Sequence, residues 1–581
     1  MARARAAGRG PRAGEPWALA KQCHNRTQLL NYFVRVSGGR HDDWGEMAAA
    51  DGASELGFAA VAARYPGRTA IIEAPGVGSD EGRTVSYAEL AARVNQLSHA
   101  LRNEGLAAGD CVASIMPNRR EYHELRLATG QVGMYFTPIS HHLTVGELAY
   151  ILSDSEAKLV VVDESLLELA GEAMAQVGLD DTAAARCVVL GQSAGGRDAA
   201  RRDQAGRRDY EQLLADQPET APEDRLAGEY MGYTSGTTGR PKGVRKRLPG
   251  KPPVFTQTRL DYMARLRIYP GAETHLVSAP LYHSAPGTYS TIALDLGHTV
   301  VIAERPRPEE LLRLIERYRV TITFTVPTVI GRLVRLPAEV RERYDLSSLR
   351  SVVHAGAPCP PEIKRQAIEW LGPVVQEFYG ATEGSATALT AEEWLRKPGS
   401  VGYPIPGVEL RVLDDDGREL PAGEIGNVYF RPQTPFEYLK DPAKTAAAMR
   451  GDLFTAGDIG HLDDEGWLFL ADRRTDLILS GGVNIYPAEV EAALIASPLV
   501  ADSAVIGVPD DDWGQRVVAI VAPGAGVTAD DDLRQRLIEH CRGMLAGYKV
   551  PREIRFTERV PRTETGKIRR RDLRAAYTPD A

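Results

Sequence analysis

Cysteine is scarce in this 581-residue chain: the five (Cys23, Cys111, Cys187, Cys359 and Cys541) are far apart and form no CxxC pair. Neither a disulfide framework nor a cysteine-ligated zinc site is indicated, and a reducing, cytoplasmic setting is expected. No apolar run approaches the roughly 18 residues of a membrane-spanning helix. With a mean hydropathy of -0.26, the chain is expected to be soluble and to span no membrane. A basic excess is also missing: 69 Lys+Arg against 78 Asp+Glu leaves -9, which makes nucleic acid an unexpected partner. The opening stretch MARARAAGRGPRAG holds four arginines but neither serine nor an apolar core, which argues against signal and transit peptides. Residues 1–46 read as a disordered tail, with Met47 as an alternative start. There is no internal repeat.

What remains is an ordinary globular composition, 43% hydrophobic and 25% charged, long enough for more than one folding unit. From about residue 57, apolar runs of strand length alternate with helical patterns, the form of a mostly parallel α/β sheet. Ser86 and Glu89 are spaced as a capping box. Leu90, Val94, Leu97 and Leu101 fall on one helical face, and Gly105 stands where a helix C-cap wants positive φ. Nearly continuous apolar runs at 111–116, 158–162, 299–303, 320–326, 349–353 and 374–379 predict strands buried on both faces. The polar, arginine-rich stretch 192–225 reads as a solvated connection. A second change of composition falls at 472–486. Beyond it a helix from Pro487, strands at 503–508 and 517–522 and a helix through Leu533–Leu537 read as a small α+β domain. The expected organisation is α/β: a tail over 1–46, a large N-terminal domain of mostly parallel sheets over 47–474, and a small mobile α+β C-terminal domain over 475–581.

The strongest chemical signal is YTSGTTGRPKG at 233–243. Thr234, Ser235, Thr237 and Thr238, three glycines and Lys242 occur within eleven residues, directly after an apolar stretch. Such a loop offers backbone N–H groups, hydroxyls and one cation to a chain of phosphates. It is not a Walker A loop, which needs adjacent Gly-Lys; Arg240 and Pro241 intervene here. A surface linker of similar composition would not be expected to end in Pro-Lys-Gly.

This string resembles the phosphate-binding loop of the adenylate-forming superfamily of acyl-CoA synthetases, luciferases and peptide-synthetase adenylation domains. The resemblance runs from about 60 to 578. HAGAP at 354–358 is similar to the family's adenine-side turn, YGATEG at 379–384 to its Tyr-Gly-Thr-Glu motif and TAGDIG at 455–460 to its ribose-binding motif. DRRTDLILSGGVNIYPAEVE at 472–491 resembles the hinge and following loop, and PRTETGKIRR at 561–570 the C-terminal lysine motif.

The resemblance implies an ATP-dependent acid-CoA ligase of the acyl-CoA synthetase kind, with ATP, Mg²⁺ and CoA. Activating a carboxylate brings two anions together, so cations and fixed dipoles must face the transferring phosphoryl group. Lys242 and the loop Thr234, Ser235, Gly236, Thr237 and Thr238 are implied to hold the β- and γ-phosphates. Thr382 would contact the α-phosphate, and Glu383 is the implied Mg²⁺ ligand, a hard oxygen donor suited to that ion. Ala357 and Tyr379 would face the adenine, Asp458 would accept from the ribose hydroxyls and Arg473 would donate to them. Singly, Asp458 reads as a turn residue, Tyr379 as a core aromatic and Lys567 as one charge in a basic tail. The joint pattern instead implies that Lys567 reaches the α-phosphate and carboxylate during adenylation and then leaves as the C-terminal domain rotates. Ser480, Gly481 and Gly482 are then the lining of the thiol-acceptor tunnel, and Thr475 marks the hinge, where the family commonly has Asp or Lys. Where the family often has a histidine pair, Arg245, Lys246 and Arg247 follow the loop; added potential near the phosphates and plain solvation both remain open.

APLYHSAP at 279–286 resembles the segment at the mouth of the family's acyl pocket, which implies that Tyr282 and His283 separate nucleotide from acyl group; a satisfied core histidine is the competing reading. No aspartate lies there to pair with an α-ammonium, which argues against an amino acid substrate. His354, Ala355, Gly356, Gly380 and Ala381 complete the expected acyl site. The small Gly380, Ala381, Ser385 and Ala386 favour a medium- or long-chain fatty acid or a bulky polycyclic or aryl acid. No carrier domain follows Lys567, so the expected acceptor is CoA, with a separate carrier protein as the alternative. GQSAG at 191–195 matches a GxSxG nucleophile elbow at Ser193, but GRDAARRDQAGRR offers no apolar helix face behind it, so a serine hydrolase is not expected.

Overall fold

The computed structural model describes residues 52–75, 82–178, 186–191, 208–234, 241–304, 306–480, 483–510, 512–563 and 566–577. The expected tail, the phosphate-loop residues Ser235, Gly236, Thr237 and Thr238, Ser193 and Gly481–Gly482 lie outside them. The sheets and helices that follow all belong to the unit Leu56–Ala581.

Two sheets form the body of the large domain. In the first, nine strands run in the order Tyr403–Pro404, Gly384–Leu389, Val375–Ala381, Ser351–His354, Ile322–Thr325, Thr274–Val277, Thr299–Ile302, Thr69–Glu73 and Arg83–Ser86. Its centre is parallel and both edges are antiparallel. The second has six strands, all parallel: Arg208–Asp209, Cys187–Leu190, Ala157–Asp163, Cys111–Ile115, Tyr135–Ile139 and Glu229–Tyr230. The helix Tyr87–Asn103 begins on the Ser86/Glu89 capping box, and Gly105 takes φ 81° after its end. Its Leu90, Val94, Leu97 and Leu101 share one core cluster with Ile71 and Val300 of the first sheet and Val112, Phe136 and Val161 of the second. This helix therefore cements two sheets, which is why both need continuous apolar strands.

One expectation is corrected here. Part of the polar stretch 192–225 is built into the fold: Arg208–Asp209 extends the second sheet, and Asp209 caps the short helix Tyr210–Leu214. Tyr210, Leu213 and Leu214 are buried in the same core cluster. Three apolar residues at i, i+3 and i+4 suffice to dock one helical turn, whatever surrounds them.

A third, antiparallel sheet carries Asp458–Leu462 paired with Leu468–Arg473, so that Asp458 stands opposite Arg473. Beside it Gly232–Thr234, Lys242–Lys246 and Phe436–Tyr438 form a three-stranded sheet. The small C-terminal domain has two long antiparallel strands, Val500–Asp510 and Gly514–Pro523, with Glu553–Phe556 parallel to the second. Both are longer than the expected 503–508 and 517–522. Alternate residues face two clusters. Val505, Val517, Ala519 and Val521 pack on the helices Pro487–Ile495 and Asp531–Met544, while Ala504, Ile506, Val518 and Ile520 pack against Leu573 of the helix Arg570–Tyr577. Among the described residues no helix is long and apolar enough to cross a membrane.

Candidate active site

The ends of the first sheet's strands, the third sheet and the small domain converge on one region. Thr234 and Lys242 are register partners on two adjacent antiparallel strands. The Lys242 ammonium lies 4.6 Å from the ring centroid of Tyr438. The Tyr438 hydroxyl donates to Glu383 Oε1 at 2.7 Å. Glu383 is buried just beyond Thr382, which is half-buried after the strand Val375–Ala381. Tyr438 has no counterpart among the motif residues. In sequence it stands out only as one of two aromatics flanking Glu437.

At the end of the same strand the Tyr379 hydroxyl donates to Asp458 Oδ2 at 2.7 Å, and Arg473 Nε donates to Oδ1 at 3.2 Å. Both oxygens of Asp458 therefore have a protein donor, and each keeps a further lone pair for a ligand hydroxyl. Tyr379 is itself largely buried, edge-on to Phe430 at 6.4 Å. Gly356, at φ 90° and exposed, makes the turn between the buried Ala355 and the half-buried Ala357.

Lys567 arrives from the small domain, held in a tight turn. The Lys567 amide donates to Thr563 Oγ1 at 3.1 Å, and the Thr563 amide donates to the Lys567 carbonyl at 2.8 Å. Burial lowers its ammonium pKa to about 8, the Arg473 charge adds to the fall, and Asp458 and Glu383 oppose it. Burial, with the nearby Lys567 charge adding to it, pushes the His283 imidazole down to about 3. The imidazole Nε2 of His283 has no partner among the described residues. It precedes the helix Ser284–Asp295 as its N-cap residue, and the neighbouring Tyr282 carbonyl accepts from the Tyr230 hydroxyl at 3.0 Å. Lys567 thus lies within electrostatic reach of His283, Glu383, Asp458 and Arg473, which come from four other segments of the chain.

Other expected residues lie differently. His354 is fully buried, its Nε2 3.7 Å from Glu377, which is ion-paired with Lys364 at 2.5 Å. Burial and then Lys364 drive its pKa well below the usual value. Gly380 does not supply free space. A Cβ there would lie 2.6 Å from the Gly384 carbonyl oxygen and 2.7 Å from Ser385 Cα, at a register shift of the strand pair. Ala386 is buried in the core, so of the four small residues only Ala381 and Ser385 remain as half-buried side chains. Arg245 sits over Tyr135 at 4.9 Å and Arg247 is exposed. Lys246 points to the opposite face from Arg245; burial lowers its pKa, with Arg259 and Arg126 adding to the effect and Glu229 opposing it.

The segment expected to serve as hinge is held by acidic residues within the 472–491 motif. Asp472 Oδ2 accepts from the Ala488 amide at 2.9 Å, at the start of the helix Pro487–Ile495. Asp476 pairs with Arg570 at 3.3 Å, and Arg570 with Glu491 at 2.6 Å. Thr475 is exposed, and its carbonyl accepts from Arg574 at 3.5 Å. Ser480 is buried at the end of the strand Ile478–Ser480.

Two family models match, the AMP-binding enzyme over 58–437 and the AMP-binding enzyme C-terminal domain over 489–567. The chain belongs to the AMP-binding, adenylate-forming enzymes, in their acyl-CoA synthetase branch. It is 34% identical over 500 residues to a feruloyl-CoA synthase of Amycolatopsis sp., covering 85% of this chain and 94% of the relative. An indoleacetate–CoA ligase of Aromatoleum aromaticum is 32% identical over 521 residues, covering 88% and 95%. Among solved structures, the amide bond synthetase McbA of Marinactinospora thermotolerans superposes with a TM-score of 0.74 at 30% identity, over 90% of this chain and 99% of that one.

Proposed function

We propose that the chain is an ATP- and Mg²⁺-dependent acid-CoA ligase for a hydrophobic carboxylic acid. In the first step a carboxylate oxygen attacks the α-phosphorus of ATP, forming the acyl-phosphate bond of an acyl-adenylate and expelling pyrophosphate. In the second, a thiolate sulfur attacks the acyl carbon, forming a thioester and expelling AMP.

The site chemistry fits these steps. Thr234, Lys242 and the loop between them hold the β- and γ-phosphates, and Thr382 donates to the α-phosphate. Asp458 and Arg473 hold the ribose, while Ala357 and Tyr379 border the base. Lys567 lies between the α-phosphate and the carboxylate and offsets the charge that builds up on both. His283 and Tyr282 wall off the acyl side, with Ala355, Gly356 and Ala381 opposite. Mg²⁺ suits Glu383: Tyr438 occupies one carboxylate oxygen, and an ion that keeps water and phosphate oxygens needs only one such protein donor. Bound there, it would neutralise charge on the triphosphate. After adenylation the small domain rotates about Thr475, with the boundary at 474–475. Lys567 withdraws, and Ser480, Gly481 and Gly482 line the path of the thiol.

The observation that carries this reading is the electrostatic contact of Lys567 with Asp458, Glu383 and Arg473, 94 or more residues away in sequence. A lysine desolvated beside another cation and two carboxylates is the arrangement that marks a functional-site candidate. The test is carboxylate-dependent exchange of labelled pyrophosphate into ATP, followed by AMP release on addition of CoA. Exchange without CoA-dependent AMP release would move the acceptor to a carrier protein, and no exchange with any acid would end the ligase reading.

A further inference from the structure

We infer that the acyl site takes a flat, aromatic acid bearing a hydrogen-bond acceptor at the end remote from its carboxylate, read by Ser385 and the two tyrosines behind it. This rests on the ligase reading and gives its acid a class.

On the helix Ser284–Asp295, Ala285, Tyr289 and Ile292 lie one and two turns apart on a single face, starting beside His283, and all join the same core cluster. Opposite this face the strand pair sets Gly380 against Ser385, both half-buried. Aromatic rings fill the space behind. Tyr289 stacks on Phe378 at 5.5 Å and 16°, Phe324 lies 5.3 Å from Tyr289, and Tyr262 stands edge-on to Phe378 at 6.3 Å and 88°. Such a wall offers faces and edges to a planar ring.

The polar atoms then set the chemistry. The hydroxyls of Tyr289 and Tyr262 are 3.0 Å apart, and that of Tyr262 is 3.4 Å from Ser385 Oγ. Three hydroxyls bring three protons, and the two internal bonds use two of them. Tyr289 is the most deeply buried of the three, so an unsatisfied proton is most costly there. The chain therefore runs from Tyr289 through Tyr262 to Ser385, and the spare donor emerges at Ser385, the only half-buried residue of the three. Burial keeps the tyrosines protonated, with Tyr262 pushed up to about 12. A bound acid with a hydroxyl, ether or carbonyl oxygen at that point satisfies the donor. A long alkyl chain leaves it unpaired and meets the Tyr262–Ser385 bridge as a floor. Within the hydrophobic acids expected from sequence, the long-chain fatty acids drop out.

The test uses the full chain with ATP and CoA and scores AMP release. Benzoic and cinnamic acids, each with and without a para hydroxyl or methoxy group, are compared with octanoic and palmitic acids. The para-oxygenated acids should exceed their unsubstituted partners at least tenfold in kcat/KM. Ser385→Ala and Tyr262→Phe should each shrink that ratio to about threefold or less, a change that simple loss of folded protein cannot produce. A preference for octanoate or palmitate, or an unchanged ratio in Ser385→Ala, overturns the inference while leaving the ligase reading intact. Failure of every acid to support pyrophosphate exchange overturns both.

Discussion

The Tyr438 hydroxyl donates to Glu383 Oε1 at 2.7 Å while the same ring lies under the Lys242 ammonium, so one side chain positions both the proposed metal ligand and the proposed phosphate cation. Removing a hydrogen bond to a charged group costs about 1.5–3 kcal/mol. Tyr438→Phe keeps the ring and deletes only that bond. It should lower kcat/KM for ATP by about 10- to 100-fold and raise the Mg²⁺ concentration needed for half-maximal rate. A variant with an unchanged Mg²⁺ dependence would show that Glu383 is oriented by something else.

Gly566 and Thr328 report on docking of the small domain. A Cβ on Gly566 would lie 2.5 Å from Thr328 Cγ2 and Oγ1, and Gly566 has φ 79°. Gly566→Ala should slow adenylation at least tenfold through this collision, with a further cost from the left-handed backbone. Thr328→Ala in the same chain removes both colliding atoms and should restore part of the rate. No rescue would mean that backbone strain in the turn, and not the docked surface, limits the step.

The pH dependence follows from the lowered pKa of Lys567, near 8 with burial as its main cause. Below pH 8 the ammonium is present, and above it the charge is lost. For the free enzyme, kcat/KM for ATP in pyrophosphate exchange should therefore fall about tenfold per pH unit above 8. In kcat the fall should come at higher pH, because bound phosphate oxygens favour the ammonium. Lys567→Arg, whose charge persists, should abolish that limb. A flat kcat/KM between pH 7 and 10 in the parent chain would contradict the assignment.

Much of this was legible in sequence because the signals are local or fully apolar. The Ser86/Glu89 box marks its helix within four residues, and the buried strands need continuous apolar runs because helices cover both faces. The motif order also pointed to Lys242, Glu383, Asp458, Arg473 and Lys567. What escaped depends on distant partners. Tyr438 meets Glu383 across 55 residues, and the Tyr262–Tyr289–Ser385 chain spans three segments. Gly380 shows how size misleads: a missing side chain read as room for a substrate is a place where two backbones touch. In the polar stretch before the phosphate loop, charge density hid a helical turn that Tyr210, Leu213 and Leu214 dock into the core.

On the proposed alternation of the small domain, Lys567 serves one half-reaction only, from its place near Asp458 and Glu383. Lys567→Ala, folded by its melting curve, is assayed for adenylation by pyrophosphate exchange and for thioester formation from a supplied acyl-adenylate and CoA. Losing a cation aimed at developing charge costs about 3–4 kcal/mol, so adenylation should fall by two to three orders of magnitude. Thioester formation should stay within about tenfold, as for an interaction made in one transition state. Equal damage to both steps would contradict alternation of the small domain, and no damage to either would return Lys567 to the basic surface around it.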